Sequence, residues 1–258
     1  SYVIHHLQAY YFQNKALLDE LDPRRTAATR PTVYFSRSLD NLMIISEINP
    51  DLLVCLIKVK SKNAIPILLN RIATTKQLHC IFLSTEYLDY AKKYLTFISE
   101  STYLSYVASP SSKVESVRSP HLIVESSLEH LAALNFLLEL DPKLTYIINQ
   151  ANKEYGDDLG NYKIYAAYDP LTNDLCAYAF FVQVDTYLWE LSRYVSFVKS
   201  SDEAVRSCIA AGTESLLNQG FFISNIGVQE SDRVFLDVAT SLGFKELYRF
   251  TSGMVKKI

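Results

Sequence analysis

Glycine is scarce in this sequence, with only 7 residues among 258, and all seven lie at or after Gly156. Glycine-rich loops let a backbone approach phosphate groups closely, and neither GxGxxG nor GxxxxGK[ST] occurs here. The GxSxG and HExxH motifs are absent as well. These absences exclude the dinucleotide-binding and P-loop classes, and they weaken hydrolase and metalloprotease interpretations.

Cysteine pairs and basic runs are lacking too. The four cysteines lie far apart, with no CxxC pair and no histidine cluster beside them, so we predict buried thiols and no metal site. The net charge is −3 and no basic run is visible, so we expect no nucleic-acid partner. Because there is no long apolar run and no signal-peptide pattern, we expect a cytoplasmic protein with no membrane partner.

The length of 258 residues favours two domains. Residues 109–120 read SPSSKVESVRSP, and their two prolines and five serines are typical of a linker. We therefore predict an N-terminal α/β domain over residues 1–117 and a second domain over residues 118–258. We interpret the first domain as a divergent, half-sized relative of the second.

The spacing of apolar residues predicts mixed α/β structure in both halves. The predicted elements of the first half are a helix at 4–21, strands at 32–36, 42–46, 52–59, 78–84 and 103–108, and helices at 64–73 and 86–98. Those of the second half are strands at 121–126, 163–169, 175–184, 187–198, 221–228 and 244–250, and helices at 127–140, 143–154, 202–219 and 231–242. Ser127 is the predicted N-cap of its helix, and Gly220 and Gly243 are predicted to end theirs. Both halves share the order β-β-β-α-β-α-β, which suggests a structural duplication.

The most specific pattern lies between Val228 and Phe244. Asp232 follows Val228 by four residues, and the segment closes on Leu242-Gly243-Phe244. Together with the string WELSRYVSF at 189–197, this spacing resembles the GNAT superfamily of acyl-CoA-dependent N-acyltransferases. The same string is also similar to acyl-homoserine-lactone synthases and N-acyl amino acid synthases.

The resemblance implies an α/β (α+β) fold, a GNAT-like mixed sheet flanked by helices, with two GNAT-like halves in tandem. It implies transfer of an acyl group from acyl-CoA, such as acetyl-CoA, to the amine of a small molecule or peptide. Acyl carrier protein is an alternative donor, and a homodimer is a further expectation.

The resemblance also implies that strand 187–198 parts from strand 221–228 and opens a cleft for the thioester tail. Residues of these elements would then hold the donor. The predicted donor-binding residues are Tyr194, Val195, Phe197, Lys199, Arg206 and Asp232.

Acyl transfer needs a base for the amine and an acid for the departing thiolate. Glu190 is the candidate base, because a carboxylate on a central strand is costly to bury without a partner; the alternative is a structural pair with an arginine. Arg193 is equally unusual in a strand, and Tyr248 is the candidate acid because Ala239 stands where many GNAT enzymes carry tyrosine. A two-residue period places Glu190 on the face of Tyr194 and Arg193 on the opposite face.

The segment KSSDEAVRSCIAAG departs from the family, because it lacks the glycines of the pyrophosphate-binding loop. Asp202 and Glu203 suit the helix dipole but would repel a phosphate, and only Lys199 and Arg206 could counter them. The alternative function is therefore a catalytically inactive GNAT-like module for binding or assembly.

Overall fold

The computed structural model describes residues 3, 7–8, 11–21, 30–72, 76–114, 119–127, 137–155, 162–197 and 202–258. The chain forms two compact units, the first from Ser1–Leu104 with Leu247–Ile258 and the second from Ser105–Glu246. Of the predicted linker, residues 115–118 lie outside the described ranges, so the domain boundary at 117/118 stays a prediction.

The first unit is built on antiparallel strands with one parallel addition. Its elements are α1 (Tyr11–Glu20), β1 (Thr32–Phe35), β2 (Leu42–Asn49), β3 (Leu52–Lys58), α2 (Ala64–Leu69), β4 (Gln77–Phe82), a 3-10 turn (Thr85–Tyr87), α3 (Leu88–Ala91) and β5 (Leu95–Phe97). Strands β1, β2 and β3 are antiparallel, and β4 joins β3 in parallel after the crossover through α2. The strands predicted at 32–36, 42–46, 52–59 and 78–84 are thus present, and the helix predicted at 64–73 is present as the shorter α2.

The remaining elements follow in chain order. They are β6 (Ser101–Ala108), β7 (Leu122–Ser127), α4 (Pro142–Tyr155), β8 (Tyr162–Tyr168), β9 (Leu175–Asp185), β10 (Leu188–Ser196), α5 (Asp202–Asn218), β11 (Phe222–Gln229), α6 (Arg233–Ala239) and β12 (Lys245–Lys257). In the second unit the strand order is β6-β11-β10-β9-β8-β7. Strand β12 belongs largely to the first unit, where it pairs antiparallel with β4 and β5.

The second unit repeats the plan of the first. Strands β8, β9 and β10 are antiparallel, and β11 joins β10 in parallel after the crossover through α5. Helix α5 packs on one face of this sheet, where Gly212 meets the rings of Tyr165 and Phe181. Helix α4 covers the other face, where Leu144 packs in a core cluster with Phe180. The mixed α/β prediction with helices on both faces is confirmed.

The segment from Val228 to Phe244 folds as the sequence pattern predicted. The Asp232 Oδ1 atom accepts the backbone N–H of Phe235 at 3.2 Å and caps α6. The chain turns at Gly243, and Phe244 is buried with its ring 5.1 Å from the ring of Phe235. The helix end and the returning strand are therefore both confirmed.

Two local predictions are wrong. The helix predicted at 86–98 is only a short turn followed by α3, because Leu95–Phe97 pairs with the end of β12 and tertiary pairing overrides helical spacing. Ser127 is the last residue of β7, opposite Lys163, and not a helix cap. The helix predicted to begin there falls mostly on residues outside the described ranges.

No helix within the described ranges combines the length and the apolar character that crossing a membrane requires. The four cysteines are all free and buried, as the sequence predicted.

Gly212 allows α5 to approach the sheet closely. A Cβ atom there would lie 2.3 Å from Phe181 Cε2 and 2.7 Å from Tyr165 Cδ2, and both rings are buried. We expect Gly212→Ala to lower the free energy of unfolding by about 2 kcal/mol, because overpacking outweighs the gain in helix propensity. Urea denaturation measures this. The control Glu214→Ala, at an exposed position of the same helix, should change stability by less than about 0.5 kcal/mol, and equal stability of both variants would contradict the close packing.

Candidate functional site

The parallel strands β10 and β11 pair over only part of their length. Their register runs from Leu188 opposite Phe222 to Glu190 opposite Ser224, three pairs in all. Both strands continue beyond this point with no further pair between them among the described residues. The strands therefore part after Glu190, which confirms the predicted cleft.

The corresponding parallel pair of the first unit is closed. Strands β3 and β4 pair without a break from Leu52 opposite Gln77 to Ile57 opposite Phe82. In each unit the pair joins the last of three antiparallel strands to the strand that follows the crossover helix, so this shared topology does not by itself separate the strands. The separation of β10 from β11 therefore arises from the residues of these two strands.

Each strand carries a local irregularity in the open stretch. In β10, Leu191 pairs with Phe181 and Arg193 pairs with Phe180, so Ser192 is an inserted residue that forms a β-bulge. In β11, Gly227 has φ +81°, a left-handed conformation that side chains disfavour. A bulge on one strand and a left-handed residue on the other both turn the backbone away from regular pairing.

The bulge also changes which side chains share a face. After it, Arg193 lies on the same face as Glu190, and Tyr194 lies on the opposite face, paired with Ala179. The prediction that placed Glu190 beside Tyr194 and apart from Arg193 is wrong. A two-residue period holds only for an uninterrupted strand, and the inserted Ser192 shifts it by one.

A cavity of about 450 Å³ lies where the strands part. Its lining combines ionisable and amide side chains with exposed strand backbone. The lining residues are Glu190, Leu191, Ser192, Arg193, Tyr194, Asn225, Ile226, Gly227, Val228, Gln229 and Asp232.

Arg193 is held at this cavity by a buried carboxylate. Its Nε and Nη2 atoms donate to the two oxygens of Asp141 at 2.5 and 2.9 Å. The Tyr178 hydroxyl donates to the same carboxylate at 2.6 Å, and the backbone N–H of Lys143 donates to it at 3.2 Å. Asp141 is 6% exposed and directly precedes α4, so it ties the start of that helix to the bulged part of β10.

The charges of this cluster follow from its contacts. Burial alone raises the pKa of Asp141, but the hydrogen bonds from Arg193 and Tyr178 outweigh burial and hold that pKa below its ordinary value. Burial and the adjacent Asp141 carboxylate raise the pKa of Tyr178 well above its ordinary value. At neutral pH the cluster is an ion pair with a neutral phenol.

A second hydrogen-bonded pair lies on the other side of the strand. The Tyr194 hydroxyl donates to Asp232 Oδ2, and the Tyr194 ring stacks on Phe235 with centroids 6.4 Å apart. Burial and the hydrogen bond to Asp232 raise the pKa of Tyr194, while the neighbouring Asn225 side chain opposes this rise. The hydroxyl proton is thus directed toward Asp232 and not into the cavity.

Asn225 lies just beyond the last strand pair, opposite no residue of β10. It is 4% exposed, and its side chain lies against the Tyr194 hydroxyl, where its hydrogen bond favours the ionised form of that group and opposes the rise of its pKa. The two side chains therefore stabilise each other where the strand ladder stops.

The structure brings only some of the predicted site residues together. Glu190, Arg193, Tyr194 and Asp232 line the cavity. The Phe197 ring packs in the core, with its centroid 5.9 Å from that of Tyr178. The remaining predicted residues lie as follows: Val195 is in the same core cluster, Tyr248 is on β12 in the first unit, and Lys199 is outside the described residues.

Arg206 already has a partner within the chain. Its Nη2 atom lies 2.7 Å from Asp237 Oδ2 and 4.0 Å from Asp202 Oδ2. Asp202 and Glu203 occupy the first turn of α5, where they satisfy the helix dipole. A phosphate group at this helix would have to compete with Asp237 for Arg206.

Sequence reasoning missed three residues of the site. Asp141 carried a usable signal, since an aspartate directly before a proline and a helix is typical of an N-cap. Tyr178 carries no distinguishing signal, because aromatic side chains at strand positions are typical of sheet packing. Asn225 gave no signal, because its role depends on where the strand ladder stops.

The Asp141–Arg193 pair makes stability depend on pH. Because the folded pKa of Asp141 lies below its ordinary value of 3.8, its contribution is complete above that pH and is lost as the pH falls through the folded pKa. We expect Asp141→Asn to lower the free energy of unfolding by about 3 kcal/mol at pH 7. Urea denaturation should show this deficit narrowing below pH 3.8.

The exposed Asp174 provides the matched control. Asp174→Asn should leave stability within about 0.5 kcal/mol of the parent at both pH values. An Asp141→Asn deficit that stays constant down to low pH would contradict the ion pair.

No protein-family model and no curated protein sequence matches the chain. Solved structures do match. A GCN5-related N-acetyltransferase from Sphaerobacter thermophilus gives a TM-score of 0.59 at 8% identity, covering 94% of this chain and 85% of that one. A GCN5-related N-acetyltransferase from Kribbella flavida gives 0.56 at 12% identity, covering 94% and 93%. An acetyltransferase of the GNAT family from Colwellia psychrerythraea gives 0.54 at 9% identity, covering 95% and 97%.

At these identities the likeness establishes the fold. It extends over nearly the whole chain, whereas the sequence motifs were confined to residues 118–258. The chain has the GNAT fold, a mixed sheet flanked by helices, as the sequence predicted.

Proposed function

We propose that the protein is an N-acyltransferase that moves an acyl group from an acyl-CoA, such as acetyl-CoA, to the amine of a small molecule or peptide. The observation that carries this proposal is the parting of β10 and β11 after Glu190, with a cavity of about 450 Å³ at the opening. The GNAT fold shared with the acetyltransferases supports it.

The open strand edges suit an extended thioester arm. Beyond Glu190 and Ser224 the facing backbone groups of β10 and β11 do not pair with each other. An extended chain that carries amide groups can bond to such edges as an added strand would. The pantetheine arm of coenzyme A has this chemistry, and the same arm is present on acyl carrier protein, which remains the alternative donor.

Glu190 is the proposed general base. It lies at the point where the strands part, is half-buried, and lines the cavity. In the proposed reaction the amine nitrogen attacks the thioester carbon, the amine proton passes to Glu190, and the carbon–sulfur bond breaks. Tyr248 stays the predicted donor of the proton that the thiolate takes up.

Arg193 has a positioning role in this proposal. Its bidentate bond to Asp141 fixes its guanidinium on the same face as Glu190. This fixed arrangement would shape the wall of the cavity on the face that carries Glu190.

One observation favours the alternative of an inactive binding or assembly module. Asp237 already bonds Arg206, and Asp202 and Glu203 lie in the first turn of α5, so among the described residues of this helix start the nucleotide end of an acyl-CoA would have to displace an acidic partner from Arg206. The proposal also includes three further expectations: the similarity to acyl-homoserine-lactone and N-acyl amino acid synthases, the cytoplasmic location and the homodimer.

The test is acyl transfer by the intact chain. With acetyl-CoA and a panel of small amines, release of free thiol should be measurable, and Glu190→Gln should lower kcat by about 100-fold or more because the amine loses its base. Calorimetric titration should give the same Kd for acetyl-CoA in both proteins, since Glu190 acts on the acceptor.

Glu214→Gln, at an exposed position of α5, is the matched control and should keep full activity. No binding of acetyl-CoA, longer acyl-CoAs or acyl carrier protein by the parent protein would overturn the proposal. Binding without transfer to any amine would favour the inactive module.

A further inference from the structure

A second cavity, of about 600 Å³, lies in the first unit. Among the described residues it shares no lining residue with the cavity at β10 and β11. It forms where the pairing of β12 with β4 stops while β12 continues. That pairing ends at Val255 opposite Leu78, whereas β12 runs on to Lys257, which pairs only with β5 among the described strands. The end of β12 therefore borders a space that no neighbouring strand fills on the β4 side.

One part of the lining of this cavity is apolar. Ile72, Leu78 and Val255 line it and belong to the buried core of the first unit. Ile98 extends this apolar wall to the surface, where 62% of the residue is exposed. A large apolar side chain left in water beside core residues gains free energy when a ligand covers it. The volume also lies within the range of about 300–1,000 Å³ that is typical of small-molecule sites.

The other part of the lining carries positive charge. Lys76, Lys256 and Lys257 line the cavity, and none of its described lining residues is acidic. The Lys257 Nζ atom donates to the carbonyl oxygen of Ile72 at 3.3 Å, which holds this ammonium group at the cavity and leaves it further N–H groups to donate. The Lys76 Nζ atom lies 2.8 Å from Glu47 Oε1, so this carboxylate offsets the charge of Lys76 alone. The cavity keeps a net positive charge.

We propose that this cavity binds an organic anion that combines an apolar body with one carboxylate or phosphate group. The apolar body covers Ile98 and the core residues beside it, and the anionic group accepts hydrogen bonds from Lys256 and Lys257. A wholly apolar ligand would remove water from the ammonium groups without replacing its hydrogen bonds, and a small inorganic ion would leave the apolar wall in water. The site uses no residue of the acyl-transfer cleft, so it goes beyond the proposed function.

Calorimetric titration of the intact chain with four probes tests this site. The probes are octanoate, octyl phosphate, octanol and inorganic phosphate. Octanoate or octyl phosphate should bind at one site per chain, and the tighter of the two identifies the anionic group as a carboxylate or a phosphate. Octanol and inorganic phosphate should each bind at least about 10-fold more weakly, because the first lacks the charge and the second lacks the apolar body.

The charge is tested by Lys256→Gln combined with Lys257→Gln. This double variant should raise the Kd of the tighter anionic probe about 10-fold, because two ammonium donors are lost. Both lysines are exposed, so the thermal midpoint should stay close to that of the parent. The matched control is Lys113→Gln combined with Lys245→Gln, which removes the same charge at two exposed positions outside the cavity and should bind like the parent.

The apolar wall is tested by Ile98→Ser. This variant should raise the Kd of the same probe about 5-fold, because less apolar surface is covered on binding, and should leave the weak binding of inorganic phosphate unchanged. Ile67→Ser is the matched control. Ile67 is also 62% exposed, but it lies on α2 and does not line the cavity, so its variant should bind like the parent.

Three results would overturn the site. The first is that the parent binds neither octanoate nor octyl phosphate. The second is that octanol binds as tightly as the anionic probes, which would show that the ammonium groups are not used. The third is a Kd that stays at the parent value in the lysine double variant or in Ile98→Ser, because the ligand would then lie elsewhere on the chain.

Discussion

The point at which the β10–β11 ladder stops is the constraint on which the site depends. A strand pair satisfies backbone hydrogen bonds along its whole length, and ending it early leaves N–H and C=O groups that need other partners. Here the early end coincides with an inserted residue, Ser192, on one strand and a left-handed Gly227 on the other. The unbroken pairing of β3 with β4 indicates that the plan alone does not open a cleft.

The carboxylate of Asp141 stabilises this irregular stretch. A bulge weakens the local ladder, so the side chains beside it need contacts of their own, and Arg193 obtains two from one buried carboxylate. Desolvation offsets much of the attraction in an ion pair of this kind, but removal of either partner leaves an uncompensated buried charge. The same carboxylate bonds the first turn of α4, so the helix and the bulged strand are held in one arrangement.

Much of the fold could be predicted from the sequence, because period-two strands and capped helices are local patterns. The turn at Gly243 and the buried Phe244 are examples. The helix predicted over 86–98 failed because Leu95–Phe97 pairs with a strand some 160 residues later, which no local window contains. Among the residues that line the cavity, Glu190 and Arg193 were predictable from charges within a strand, and Tyr194 and Asp232 from the family resemblance. Asn225 was not, since its amide matters only where the ladder has ended.

Strand β12 has a consequence for how the chain reaches this structure during synthesis. Domains of a growing chain ordinarily fold in order of their appearance. Here the first unit takes in Leu247–Ile258, which pairs with β4 and β5, so its sheet stays incomplete until the last segment of this sequence has left the ribosome. In the interval one edge of β4 lacks the neighbour it has in the finished fold, and an open edge of this kind is a site of mispairing between nascent chains. By contrast, all residues of the second unit, Ser105–Glu246, have been synthesised before that segment emerges.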